Sequence, residues 1–166
     1  MLSRLRRALA PCARRQQGSV AVEFAIIVPV FLLLVFGIVD LGHAWYLKQV
    51  ISNASREGAR YGAKYHADPV TGVQIKPNAL NPTIVNYVNN TSDQNGGLGG
   101  WGLKNLLPDD ANPLVLPGGV GYASGVPGDD LSVTVTATKN WFVLGTLVPG
   151  WSNSEDLSAT TIMKCE

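Results

Sequence analysis

Apolar residues concentrate at one place in this chain. From Ser19 to Val39 the sequence reads SVAVEFAIIVPVFLLLVFGIV, interrupted by one charge, Glu23, and by Pro29. At 1.5 Å per residue such a helix is about 31 Å long, enough to cross the hydrocarbon core of a bilayer. The run stops at Asp40, and Trp45 and Tyr46 follow where interfacial aromatics belong. Pro29 removes an amide donor and frees the carbonyl of Ala25, a mild break that membrane helices tolerate where neighbouring helices re-satisfy the backbone.

Beyond Asp40 the pattern turns amphipathic. Leu47, Val50, Ile51, Ala54, Gly58, Tyr61, Gly62 and Tyr65 recur at helical spacing, so the helix is expected to continue until His66-Ala67-Asp68-Pro69 ends it. Ala54, Gly58 and Gly62 form a strip of small residues that another element can approach closely, either the chain's own sheet or a neighbouring subunit. Arg56, Arg60 and Lys64 share a solvated face, with Glu57 relieving Arg60.

Residues 67–166 are rich in Gly and Pro, with short apolar segments between turns. Leu131 to Thr138, LSVTVTAT, alternates cleanly and predicts a strand; Ser158 to Met163 predicts a second, antiparallel to it. Leu114, Val115 and Leu116, held between Pro113 and Pro117, fit an edge strand. Asn81 is expected to cap a short helix, Thr83 to Asn89, with Pro82 at its first position. Gln94 to Gly102, QNGGLGGWG, reads as a loop, and Trp141, Phe142, Leu144 and Leu147 are expected to cover the core. The predicted fold is α+β: a long N-terminal helix packed on a small antiparallel sheet. Four segments follow: a basic leader 1–18, a membrane helix 19–39, its continuation 40–66 and a sheet domain 67–166.

Charge then gives the chain a direction. Overall, 166 residues carry a formal net charge of +1, but Arg4, Arg6, Arg7, Arg14 and Arg15 all precede the apolar run without one acid. Arginine beside a membrane segment stays cytoplasmic, so residues after the run are expected outside. The arginines therefore mark topology, not a nucleic-acid site. Cys12 and Cys165 fall on opposite sides of that membrane and cannot bridge, so Cys165 is either buried and inert or free for an intermolecular bond. Asp109-Asp110 and Asp129-Asp130 sit in turns, where Asp is common; the pattern of a calcium loop is missing. His43 and His66 are too few for a metal cluster, and neither HExxH nor GxSxG occurs. The sequence points to no enzyme, no cofactor and no metal.

Glu23 needs a reason. A charge deep in a bilayer costs about 2.5–3.5 kcal/mol on insertion scales, less near the edge. Three fates of the N-terminus are open: cleavage after Ala44, no cleavage, or cleavage after Gly18. Only the last gives Glu23 a role, because it makes Ser19 the first residue and creates an α-amino group that the carboxylate of a neighbouring copy can meet. Such a pair fixes register between identical helices more than it adds stability. The local alternative is that the helix dipole alone accommodates the acid.

The arginine-rich leader followed by GSVAVEFAIIVP, Gly18 to Pro29, resembles type IV prepilins, and within them the TadE-like minor pseudopilins of tight-adherence (Flp) pili. NASREGARYGA, Asn53 to Ala63, is similar to the family's post-membrane helix, and LSVTVT with the terminal LSATTIMKCE is a weaker echo. The resemblance implies a pilin-like fold and cleavage between Gly18 and Ser19 by a membrane-embedded prepilin peptidase. It makes Glu23, Phe24 and Pro29 the recognition and assembly residues. It also implies a single-pass place in a bacterial inner membrane, and as partners other pilins, the pilus assembly platform and membrane lipid. The alternative is a signal-anchored extracytoplasmic binding or sensor domain with Glu23 incidental.

Overall fold

The computed structural model describes residues 13–89, 102–147 and 150–166. The greater part of the leader and of the Gln94–Gly102 loop lies outside them. A single helix, α1, runs from Ala13 to Ala63 with Pro29 inside it. Its two halves live in different surroundings. From Gly18 to Val39 the apolar side chains are mostly exposed, Phe24 and Ile26 at 67% each. From Asp40 onward one face is covered: Leu47, Ile51, Ala54 and Ala59 are fully buried. In a medium without water an α-helix satisfies every backbone group internally, which is why one element serves both halves.

The cover is a three-stranded antiparallel sheet in the order β1-β2-β3, formed by Leu114–Gly118, Asp130–Asn140 and Ser154–Lys164. β2 lies in the centre, pairing Val135 with Val115 on one side and with Ala159 on the other. Its alternation is strict. Leu131, Val133, Val135 and Ala137 are fully buried against α1, while Ser132, Thr134, Thr136 and Thr138 face outward and are half-buried. The outward hydroxyls pair across strands, as Thr134 with Thr160 at 2.8 Å. All three predicted strands are present, β2 and β3 longer than predicted at both ends, and β1 includes Pro117 at the sheet's edge.

A short helix, α2 (Ile84–Asn89), packs on the same stretch of α1. The cap differs from expectation: Thr83 Oγ1, not Asn81, accepts the Asn86 amide, at 3.2 Å. Thr83 holds the position three residues before that amide, the reach of a capping hydroxyl. The small-residue strip lets these parts converge, and the partner is the chain's own domain. A Cβ on Gly58 would fall 2.8 Å from Val88 Cγ2 and 3.2 Å from Val133 Cγ1. Further short helices, α3 (Leu103–Leu106), α4 (Val120–Ser124) and α5 (Leu144–Leu147), complete the connections.

Helix α1 stops at Ala63, three residues before His66. There the Glu166 amide takes the Ala63 carbonyl at 2.9 Å. Tyr65, past that stop, is 49% exposed. Cys165 is buried with its thiol 3.7 Å from the Gly121 carbonyl, and burial, then Asp129 and Asp130, push its pKa up. That is the inert reading of this cysteine.

Replacing Gly58 by Ala is expected to cost about 1–3 kcal/mol through overpacking, despite the better helix propensity of Ala. The loss reads as a lower thermal midpoint of the detergent-solubilised chain. Gly42→Ala, where a Cβ meets nothing within 4 Å, serves as the comparison and should not lower it.

Candidate functional site on the apolar helix

The five residues singled out by sequence lie on one stretch of α1 that stands clear of the sheet domain. Ser19, Glu23, Phe24 and Pro29 are exposed, and a Cβ at Gly18 would meet nothing within 4 Å. The bond between Gly18 and Ser19 sits inside a continuous helix. Glu23 has a local partner: the Ser19 hydroxyl, one turn back, donates to its Oε1 at 3.5 Å, the long limit of a hydrogen bond. Phe24, Ile27 and Phe31 project from the helix at 60–67% exposure. An apolar cylinder of this length, approached by its own domain only near Gly37 among the described residues, is a surface built for lipid or for other helices. One helix among the described residues is long and apolar enough to cross a membrane, and it is this one.

Where the cylinder meets the domain, the structure holds something sequence reasoning passed over. Asp40 and Lys139 are both fully buried and form an ion pair, Nζ to Oδ1 at 3.3 Å. Asp40 also accepts the amides of Phe142 at 3.0 Å, Val143 at 2.9 Å and Leu144 at 3.2 Å, so one carboxylate closes the first turn of α5. The Lys139 ammonium donates to the Asn140 carbonyl and sits 4.6 Å from the Phe142 ring and 5.1 Å from that of Trp141. Cation–π contact and the ion pair together compensate its lost hydration.

Burial raises the Asp40 pKa, but the three amides and Lys139 outweigh it and hold it at about 2. His43, beside the Phe142 ring at 5.7 Å, moves down, first through burial and then through the Lys139 cation.

A signal for this pair was present. The alternation that turns Leu131, Val133, Val135 and Ala137 inward also turns Lys139 inward, and a buried lysine requires an acid. Phe142, expected over the core, is instead 67% exposed, because Asp40 pins its amide to α1 beyond the core's edge.

Other acidic candidates are committed to protein partners. Asp110 accepts from Asn140 Nδ2 at 2.8 Å, Asp129 from Ser124 Oγ at 2.6 Å, and Asp130 pairs with Lys164 at 2.8 Å. Among the described residues no three metal-ligating side chains come together. On the helix face Arg60 pairs with Glu57 at 2.7 Å, as the spacing implied. An open groove of about 390 Å³ is lined by Lys104, Pro108, Asp109 and Asn112, without a nucleophile and base in mutual reach.

Comparison with known proteins bears on the helix. Residues 18–60, about a quarter of the chain, match the model of the family described as TadE-like protein. The match contains Gly18, Ser19, Glu23, Phe24, Pro29 and Asp40, and ends before the sheet. No curated protein and no solved structure matches the chain.

Removing one partner of the buried pair leaves the other charged without compensation, a loss of about 3–5 kcal/mol. Lys139→Met and Asp40→Asn are each expected to lower the thermal midpoint, and the double variant to lose less than the two combined. Acid should act in two stages. His43 has a lowered pKa in the fold, so stability falls as pH drops below its ordinary 6.5. Asp40, held at about 2 against an ordinary 3.8, contributes on the order of 2 kcal/mol, which is lost as pH falls from about 4 toward 2. Thermal midpoints across pH 2–7 for the natural chain and Asp40→Asn check this, the lower stage vanishing in the variant.

Proposed function

With residues 18–60 forming a TadE-like segment, we propose that this chain is a minor pseudopilin of a tight-adherence type IV pilus, a structural and assembly component cut after Gly18 by a prepilin peptidase. The observation that carries this reading is the uncovered half of α1: apolar on all sides, exposed, and continuous with a buried half that holds a folded domain at one end. Such an element serves first as a membrane anchor and then, once pulled from lipid, as the packing core of a helical assembly.

In the proposed sequence of events, the arginine leader keeps the N-terminus cytoplasmic and the sheet domain is delivered outside the inner membrane. The peptidase hydrolyses the Gly18–Ser19 bond. Ser19 then carries a new α-amino group, whose ordinary pKa of about 7.7–8.0 leaves much of it cationic at neutral pH. Glu23 loses nothing locally, since its Ser19 contact is weak, and meets that amine on a neighbouring subunit. Phe24 and Pro29 belong to the surface that the peptidase and the neighbouring helices read. Pilins, pseudopilins, the assembly platform and membrane lipid are the partners of this reading.

The decisive measurement is the N-terminus and intact mass of the protein from native membranes, expected to begin at Ser19. A chain beginning at Trp45, or one uncut, would point to a secreted or a signal-anchored domain. Gly18→Leu is expected to insert normally yet stay uncut. Glu23→Ala should insert and be processed but abolish or strongly reduce pili counted by electron microscopy, and normal piliation would remove the role given to Glu23.

A further inference from the structure

The connection between β2 and β3 is long and apolar. Between Asn140 and Glu155 it contains no charged residue, and its sequence opens WFVLGTL and includes Trp151. Phe142 is 67% and Trp151 48% exposed, and Trp151 meets Trp141 edge-on at 5.9 Å. This puts exposed aromatic rings on the loop that packs beside the apolar half of α1.

Its height along α1 is fixed by packing. A Cβ on Gly37 would lie 3.8 Å from Leu144 Cδ2, so α5 rests on a residue that belongs to the apolar run. Gly37 lies two residues, or about 3 Å, inside the outer end of that run. Trp45, 72% exposed, lies about 9 Å beyond that end on the same helix. If the run crosses the bilayer, α5 stands where hydrocarbon gives way to headgroups, a zone about 5–7 Å deep.

Three of the loop's amides are already prepared for such a medium. The amides of Phe142, Val143 and Leu144 are turned to Asp40 and away from solvent, and the charge of Asp40 is met by Lys139. Both charges are fully buried, so entering lipid would strip no water from them. Amides satisfied internally where the loop meets α1, with Trp and Phe exposed, suit the interface.

We propose that the β2–β3 connection around α5 is a second membrane-contacting element, a wedge set into the outer leaflet of the bilayer that α1 crosses. Lipid is the occupant because this surface is continuous with the lipid-facing run. The wedge fixes the rotation of the sheet domain about α1 and sets which face it offers to neighbours. This inference rests on the proposed membrane span of residues 19–39.

The test uses the full chain with Cys12→Ser and Cys165→Ala, reconstituted in phosphatidylethanolamine–phosphatidylglycerol vesicles. An environment-sensitive fluorophore is attached through Phe142→Cys, Trp151→Cys, Ile27→Cys or Val73→Cys. Lipids carry a nitroxide either near the headgroup or deep in the acyl chain, and iodide probes from the water. The expected result is loss of emission at 142 and 151 with the shallow nitroxide, at 27 with the deep one, and at 73 with iodide only. Iodide quenching at 142 and 151, with 27 still quenched from the deep lipid, overturns the wedge and leaves the span. Labels at 142 and 151 shielded from both lipid and iodide would mean a second copy covers the loop, which also overturns it. An unquenched label at 27 would sink the span, and the wedge with it.

Discussion

Asp40 carries a charge to the place where a membrane-type helix becomes the spine of a folded domain, and the surrounding structure is arranged to keep that charge buried. Lys139, at the end of the central strand, supplies the counter-charge, and three successive amides of the following turn supply hydrogen bonds. One side chain thereby joins helix, strand and loop. Buried ion pairs contribute little net stability compared with apolar replacements, but they penalise every arrangement that leaves one partner alone. Here the arrangements penalised are those in which β2 slides along α1 or the loop swings away. The pair fixes register.

From that joint the two halves of α1 diverge in physical role without any break in the helix. Above it, small residues let side chains pack onto the helix backbone, those of Val88 and Val133 at Gly58 and those of Ile84 and Leu131 at Gly62. Below it, the described part of the domain approaches the helix only near Gly37, through Leu144, and most of the surface down to the Glu23 turn is left for lipid or for other helices. Under the pilus reading proposed for this chain, both properties are needed at once: a rigid attachment of the sheet domain and an apolar segment free to change its surroundings. The continuity of α1 means that the joint transmits any rotation of the anchor directly to the sheet.

Much of this was written in the local sequence. The apolar run from Ser19 to Val39, broken only by Glu23, already marked a helix long and apolar enough to cross a membrane. Alternation in Leu131 to Thr138 set the central strand, and the spacing of Ala54, Gly58 and Gly62 announced close packing. The family likeness was legible in Gly18 to Pro29 for the same reason: these are contiguous residues whose meaning does not wait for the fold. Glu23 stood out by being the wrong kind of residue for its neighbours.

What only the tertiary structure decided is the set of relations across long separations. Asp40 and Lys139 are far apart in sequence, and although each is odd in its place, nothing local says that they answer one another. Phe142 looks like a core residue by composition, yet it lies outside, because the hydrogen bonds of its backbone to Asp40 outrank the burial of its ring. At the end of α1 the free Ala63 carbonyl is taken by the Glu166 amide, a partner from across the fold. Periodicity and composition report which face of an element is apolar. Which element covers that face, and which charge finds a partner there, depends on contacts that exist only after the chain has folded.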